Sequence, residues 1–230
     1  MTQPDGIILD IDGTLIDSND AHAHSWIEAM AEQGYNIPFD KVRPLIGMGG
    51  DKVLPEVLGI SKDSPQGKTI DQRRSEIFQQ RYLSKVRAFP GAGELLQRMH
   101  DQGLKLVVAT SSKQEELNKL LNIIGPHVSD LFQQETTSSD APQSKPNPEV
   151  VDVALQKSDL KPDTAIMIGD TAFDIEAAAK AGVKTIALLC GGWSDSDLKG
   201  AIAIYNDPAD LLAHYDESPL AASKNSVRHT

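Results

Sequence analysis

Four short apolar runs constrain this chain most, at residues 6–11, 104–109, 165–168 and 184–189. Each is too short for a buried helix and is apolar without alternation, the pattern of strands covered on both faces. A weaker fifth run spans 201–205. Amphipathic helical patterns lie between them, at 92–102, 114–124, 148–157 and 172–181. In the first of these Leu95, Leu96 and Met99 share one face, and Gly103 stops the helix. Strand–helix alternation predicts an α/β fold, a doubly wound parallel sheet of Rossmann-like type. Residues 17–88 break the alternation, with helical patterns at 20–32, 39–45, 52–58 and 68–86 and no strand. They read as a small all-helical cap inserted after the first strand, closed by the breaker Phe89-Pro90-Gly91. The expected division is an α/β core of 1–16 and 89–216, a cap of 17–88 and a flexible tail of 217–230.

The first run ends Asp10-Ile11-Asp12-Gly13-Thr14. In an open parallel sheet, ligands bind beyond the carboxyl ends of the strands. Residues two apart share one side of a strand, so both carboxylates are expected to face one small volume. Two crowded negative charges call for a shared proton or a metal ion. The second run ends Ala109-Thr110-Ser111-Ser112, which offers hydroxyl and backbone N–H donors to a phosphate. Lys145 stands in Ser144-Lys145-Pro146-Asn147-Pro148, where two prolines present one cation rigidly. The third run ends Gly169-Asp170-Thr171-Ala172-Phe173-Asp174. Asp170 and Asp174 are one helical turn apart and can face one point. Oxygen ligands beside a phosphate suit Mg²⁺.

The formal charge of -11 repels nucleic acid and anionic membranes, so neither is an expected partner. It also repels an anionic substrate, which then needs its own local cation. A single cysteine, Cys190, excludes an internal disulfide and fits the cytoplasm; it is expected as a small buried residue at a strand end. No basic stretch followed by an apolar one opens the chain, so no secretory signal is expected.

Taken in order, Asp10-Ile11-Asp12-Gly13-Thr14, Thr110, Lys145 and Gly169 to Asp174 resemble the signature motifs of the haloacid dehalogenase-like hydrolases. The resemblance spans about residues 6–214 and points to the phosphoglycolate phosphatase and β-phosphoglucomutase-like subgroup. It implies that Asp10 is the nucleophile and forms an aspartyl-phosphate. Asp12 would be the general acid and then the base, with a raised pKa. Thr110 and Lys145 would hold and neutralise the phosphoryl group. Mg²⁺ would be bound by Asp10, the backbone carbonyl of Asp12, and Asp170, with Asp174 reaching it through water.

The helical insert resembles that family's cap, which closes over the site and reads the substrate. Candidate substrate contacts are His22, Ser111, Arg43, Gly47, Gly49, Gly50 and Lys52. The glycines belong to a loop whose backbone N–H groups can approach a ligand closely. Where the mutases carry a phosphate-holding arginine, this chain has Gly50, which favours a phosphatase. The expected function is hydrolysis of a small phosphomonoester such as phosphoglycolate, a sugar phosphate or a nucleotide. The alternatives are a phosphosugar mutase and a non-catalytic binding module on the same fold. Either a monomer or a small homo-oligomer is compatible with the sequence.

Overall fold

The computed structural model describes residues 3–221. Its main sheet has six parallel strands in the order β5-β4-β1-β6-β7-β8. They are β1 (Gly6–Leu9), β4 (Lys105–Ala109), β5 (Phe132–Thr136), β6 (Ala165–Gly169), β7 (Lys184–Leu188) and β8 (Ala203–Tyr205). β1 lies inside the sheet, with Ile7 opposite Leu106 on one side and Ile166 on the other. Its side chains alternate between the two faces. Ile7 and Leu9 pack with α5 (Ala92–Asp101), α6 (Gln114–Ile124) and α9 (Pro208–Ala213). Ile8 packs on the opposite face with α7 (Glu149–Ser158) and α8 (Ala172–Lys180). Helices on both faces make this the doubly wound α/β fold expected from the alternation.

The chain moves from β1 to β4 and β5 on one side, then returns to β6 on the other. The order reverses at β1, and such a switch point leaves a crevice at the carboxyl ends of the strands. The loops after β1, β4 and β6 all open into it.

Two short strands, β2 (Ile16–Asp17) and β3 (Arg87–Ala88), pair antiparallel where the chain leaves the sheet layer and where it returns. Between them lie α1 (Asn19–Ala31), α2 (Phe39–Val42), α3 (Gly50–Leu58) and α4 (Pro65–Ile77). These helices bury a cluster of their own, including Trp26, Met30, Leu54, Ile70 and Ile77. Ser64 caps α4 by accepting the Gly67 N–H, and Pro65 fits its first turn.

Several boundaries differ from expectation. β1 stops at Leu9, because the Ile11 carbonyl accepts the N–H groups of Thr14, Leu15 and Ile16 in a tight turn. Asp10 and Asp12 therefore sit in a loop, not on one side of a strand. The helix expected at 68–86 starts earlier, widens into a π turn at Phe78–Tyr82 and ends there. β5 and the β2–β3 ribbon were not anticipated. Of the expected tail, Ser218 and Leu220 are buried against the core, and residues 222–230 lie outside the described residues. Cys190 is half-buried just beyond β7, its thiol directed at the Gly13 carbonyl. Among the described residues no helix is long and apolar enough to cross a membrane.

Candidate active site

Two strand ends, those of β1 and β6, bring their acids to one place. Carboxylate oxygens of Asp10, Asp170 and Asp174 lie within 4.8 Å of one another, and all three residues are buried. Lys145 reaches into the group, its Nζ 2.5 Å from Asp10 Oδ1 and 2.6 Å from Asp174 Oδ1. The side chain is fully buried, which only such pairing makes tolerable. Burial alone would lower the Lys145 ammonium, but the charges of Asp10 and Asp174 push it well above the ordinary lysine range.

Local structure fixes each member. Thr14 Oγ1 donates to Asp170 Oδ1 at 2.9 Å, and Asn19 Nδ2 donates to Asp170 Oδ2 at 2.9 Å. Thr171 and Asp174 form a reciprocal capping box at the start of α8, leaving the second Asp174 oxygen to Lys145. Gly13 turns the chain at φ +79°, and a Cβ there would fall 2.3 Å from Asp170 Oδ2. Only glycine meets both demands.

Three carboxylates face one ammonium, so the cluster keeps an excess of buried negative charge. Burial, with repulsion from Asp174 and Asp12, raises the Asp10 carboxyl to about 7 despite Lys145. Burial and repulsion from Asp174 and Asp10 also lift Asp170 well above the carboxylate range. A hard divalent cation with oxygen preference would relieve that repulsion, so the donor set fits Mg²⁺.

Asp12 behaves differently. Its Oδ1 accepts from Ser18 Oγ at 2.6 Å and lies 2.8 Å from His22 Nε2, while Oδ2 accepts from Ser112 Oγ at 2.9 Å. Burial would raise this carboxyl, but the charge and hydrogen bond of His22 and the two hydroxyls hold it well below the usual range. This corrects the expected raised pKa. Hydrogen bonds to the anionic form outweigh the neighbouring carboxylate.

A cavity of about 40 Å³ opens above Asp10 and Asp12. Thr110, Ser111 and Ser112 line its floor; His22, Gly47, Gly49 and Gly50 line its roof. A side chain at position 50 would meet Trp26 at 2.9 Å, so an arginine there requires Trp26 to move. Arg43 and Lys52 do not line the cavity, contrary to expectation. Arg43 binds Asp20 and the Gly191 carbonyl, and Lys52 binds Gln143 Oε1, so both are spent between the helical insert and the sheet layer.

Sequence reasoning passed over Asn19, Ser18, Arg74 and Glu116, and did not foresee that Ser112 binds Asp12. Arg74 of α4 lines the cavity, stacks over Trp26 and pairs with Glu116 of α6 at 3.3 Å. Ser112 Oγ also lies 3.0 Å from Glu116 Oε1. Ser112 and Glu116 are one turn apart, which was a usable signal. Nothing local marked Arg74, whose partner is 42 residues away.

Acids at two strand ends of a doubly wound sheet, hydroxyls at a third, a buried lysine and a helical insert over the crevice define a phosphoryl-transfer type of hydrolase. The haloacid dehalogenase-like hydrolase family matches residues 7–188, and the chain belongs to that family. It falls in the phosphoglycolate phosphatase and β-phosphoglucomutase-like subgroup. It is 30% identical over 194 residues to a phosphoglycolate phosphatase of Aliivibrio fischeri, covering 80% of this chain and 84% of that one. A phosphoglycolate phosphatase of Aquifex aeolicus is 30% identical over 217 residues, covering 91% of this chain and 96% of the relative. A solved hydrolase from Pseudomonas syringae has a TM-score of 0.86 at 29% identity, covering 96% of this chain and all 100% of that one.

Proposed function

We propose that this chain is a Mg²⁺-dependent phosphatase that hydrolyses a small phosphomonoester through an aspartyl-phosphate on Asp10. The observation that carries the reading is the buried Asp10–Lys145–Asp174 contact beside Asp170, of which Asp10 lines the cavity. Asp10, Asp170 and, through water, Asp174 would hold Mg²⁺ together with the Asp12 carbonyl. The ion would supply charge neutralisation that lets an anionic nucleophile meet an anionic phosphate.

The remaining chemistry belongs to the chain. An Asp10 oxygen forms the bond to phosphorus as the ester oxygen leaves. Lys145 holds that carboxylate in place and offsets the incoming charge. Thr110 and Ser111, at the end of β4, bind the phosphoryl oxygens. Asp12 protonates the leaving oxygen. It rests as an anion, and an arriving phosphate dianion raises it toward protonation. His22 Nε2, 2.8 Å from Asp12 Oδ1, is placed to hand it that proton. Asp12 then takes a proton from the water that cleaves the aspartyl-phosphate, and free phosphate departs. Asp174 serves by fixing Lys145. The single cysteine and the absence of a membrane-spanning helix among the described residues support a cytoplasmic setting.

The lack of room at Gly50 supports a phosphatase over a phosphosugar mutase. The test is a panel of phosphorylated metabolites assayed with Mg²⁺ and with EDTA, following both free phosphate and isomerised sugar. Phosphate release that EDTA abolishes and Asp10→Asn eliminates is expected. Isomerisation without release, or full turnover in folded Asp10→Asn, would refute the assignment.

A further inference from the structure

We infer that Asn19 is a positioning residue for Asp170, and that it makes affinity for the divalent cation depend on how the helical insert is seated on the sheet layer. The inference rests on the proposed reading for the cation alone, and adds a coupling between that ion and the insert.

Asn19 is the first residue of α1, so it belongs to the insert, yet its amide reaches the sheet layer. Nδ2 donates to Asp170 Oδ2 at 2.9 Å and to the Gly191 carbonyl at 3.1 Å. A carbonyl only accepts, and so does an ionised carboxylate, which fixes the end of the amide that faces them. Among the described residues Asn19 is the one donor to Oδ2, while Thr14 holds Oδ1. The residue is buried, and its own Oδ1 has no donor among the described residues. An unmet buried acceptor destabilises. Packing of α1 therefore does not account for an amide at this position; the two bonds from Nδ2 do.

The backbone around that oxygen is close-fitting. A Cβ on Gly191 would fall 1.8 Å from Asp170 Oδ2, and one on Gly13 would fall 2.3 Å from it. The Gly191 carbonyl also accepts from Arg43 Nη2 at 2.6 Å. Arg43 directly follows α2, and its Nε binds Asp20 of α1. Two side chains of the insert thus meet on one carbonyl, and one of them continues to a carboxylate of the acid cluster. Displacing the insert takes from Asp170 the donor on its second oxygen. Groups that orient a metal ligand are worth about 10–100-fold in metal affinity. Linkage is reciprocal, so a cation held by Asp170 strengthens the seat of the insert by the factor that the seat adds to cation affinity.

The test needs no substrate. Mn²⁺ binding is titrated through the electron paramagnetic resonance signal of the free ion, and Mg²⁺ binding by competition with it. Asn19→Leu keeps the bulk and removes the amide, and should raise the Kd for Mg²⁺ about 10–100-fold. Arg43→Met touches no acid of the cluster, and should raise it at least about twofold. Hydrogen exchange gives the second readout. Saturating Mg²⁺ should slow exchange of the α1 amides in wild type and leave them unchanged in Asn19→Leu. A merely structural loss would loosen α1 equally with and without the ion. A Kd unchanged in either folded variant overturns the coupling. So does α1 exchange in wild type that is indifferent to Mg²⁺, an outcome that needs no variant. Failure of the wild type to bind either ion would overturn the Mg²⁺-dependent reading together with this inference.

Discussion

Replacing Lys145 with methionine isolates the charge balance of the site. Methionine keeps a long apolar stem, so little packing is lost. What disappears is the cation 2.5 Å from Asp10 and 2.6 Å from Asp174. Removing one partner of a buried ion pair costs about 3–5 kcal/mol, because the other charge is stranded. In a chain of this size one kcal/mol moves Tm by about 2–4 °C, so a fall of about 6–20 °C is expected at pH 8 in EDTA. At pH 5 the loss should be smaller. Asp10, with its carboxyl raised to about 7, then carries its own proton and needs the cation less. Urea unfolding followed by circular dichroism, for wild type and Lys145→Met at both pH values, measures the difference. Adding Asp174→Asn should restore part of the stability. A loss under about 1 kcal/mol at pH 8, or a greater loss at pH 5, would refute the role of Lys145 as counter-cation.

Two further outcomes follow from the same site. Asp10 has a folded pKa of about 7, above its unfolded value of 3.8, so its favourable contribution is complete below 3.8 and is lost as pH rises through 7. The stability of wild type minus that of Asp10→Asn, measured in EDTA, should therefore fall between pH 5 and pH 8, and a flat difference would contradict the burial of that carboxyl. Gly13→Ala forces a Cβ into Asp170 and Asn19 at a left-handed φ of +79°, so a destabilisation of about 1–3 kcal/mol is expected. Mg²⁺ titration followed by Tm should show a weaker ion-induced rise in that variant; an unchanged rise would mean that Gly13 does not shape the acid cluster.

Strand interiors were legible because both faces are covered, which forces continuous apolar runs such as Gly6–Leu9 and Ala165–Gly169. The acids at their ends stood out against those runs. β5 escaped because it is an edge strand reading Phe-Gln-Gln-Glu-Thr, and an edge needs little apolar character. The β2–β3 ribbon has two residues per strand, too few for any period to register. Asp10, Lys145 and Asp170 were legible as unusual residues at strand ends or between prolines. Arg74 and Glu116 look like ordinary solvated charges on amphipathic helices; only the folded chain buries them against each other. Arg43 and Lys52 were misassigned for the converse reason. A cation near a glycine-rich loop has no sequence mark that separates a ligand contact from a tether.

That ribbon has a mechanical consequence. Both chain crossings between the sheet layer and the helical insert run side by side, Ile16 against Ala88 and Asp17 against Arg87. A body hung from two adjacent strands resists sliding and tilts about a single axis, like a flap on a short hinge. Asp12 precedes that ribbon on the sheet side, and Asn19, His22 and Arg74 lie on the insert side. A swing of the insert about that ribbon would part His22 from Asp12, Arg74 from Glu116 and Asn19 from Asp170 together. On the proposed mechanism, admission of an ester and disarming of the proton-handling groups would then be one motion, and cleavage would await the shut state.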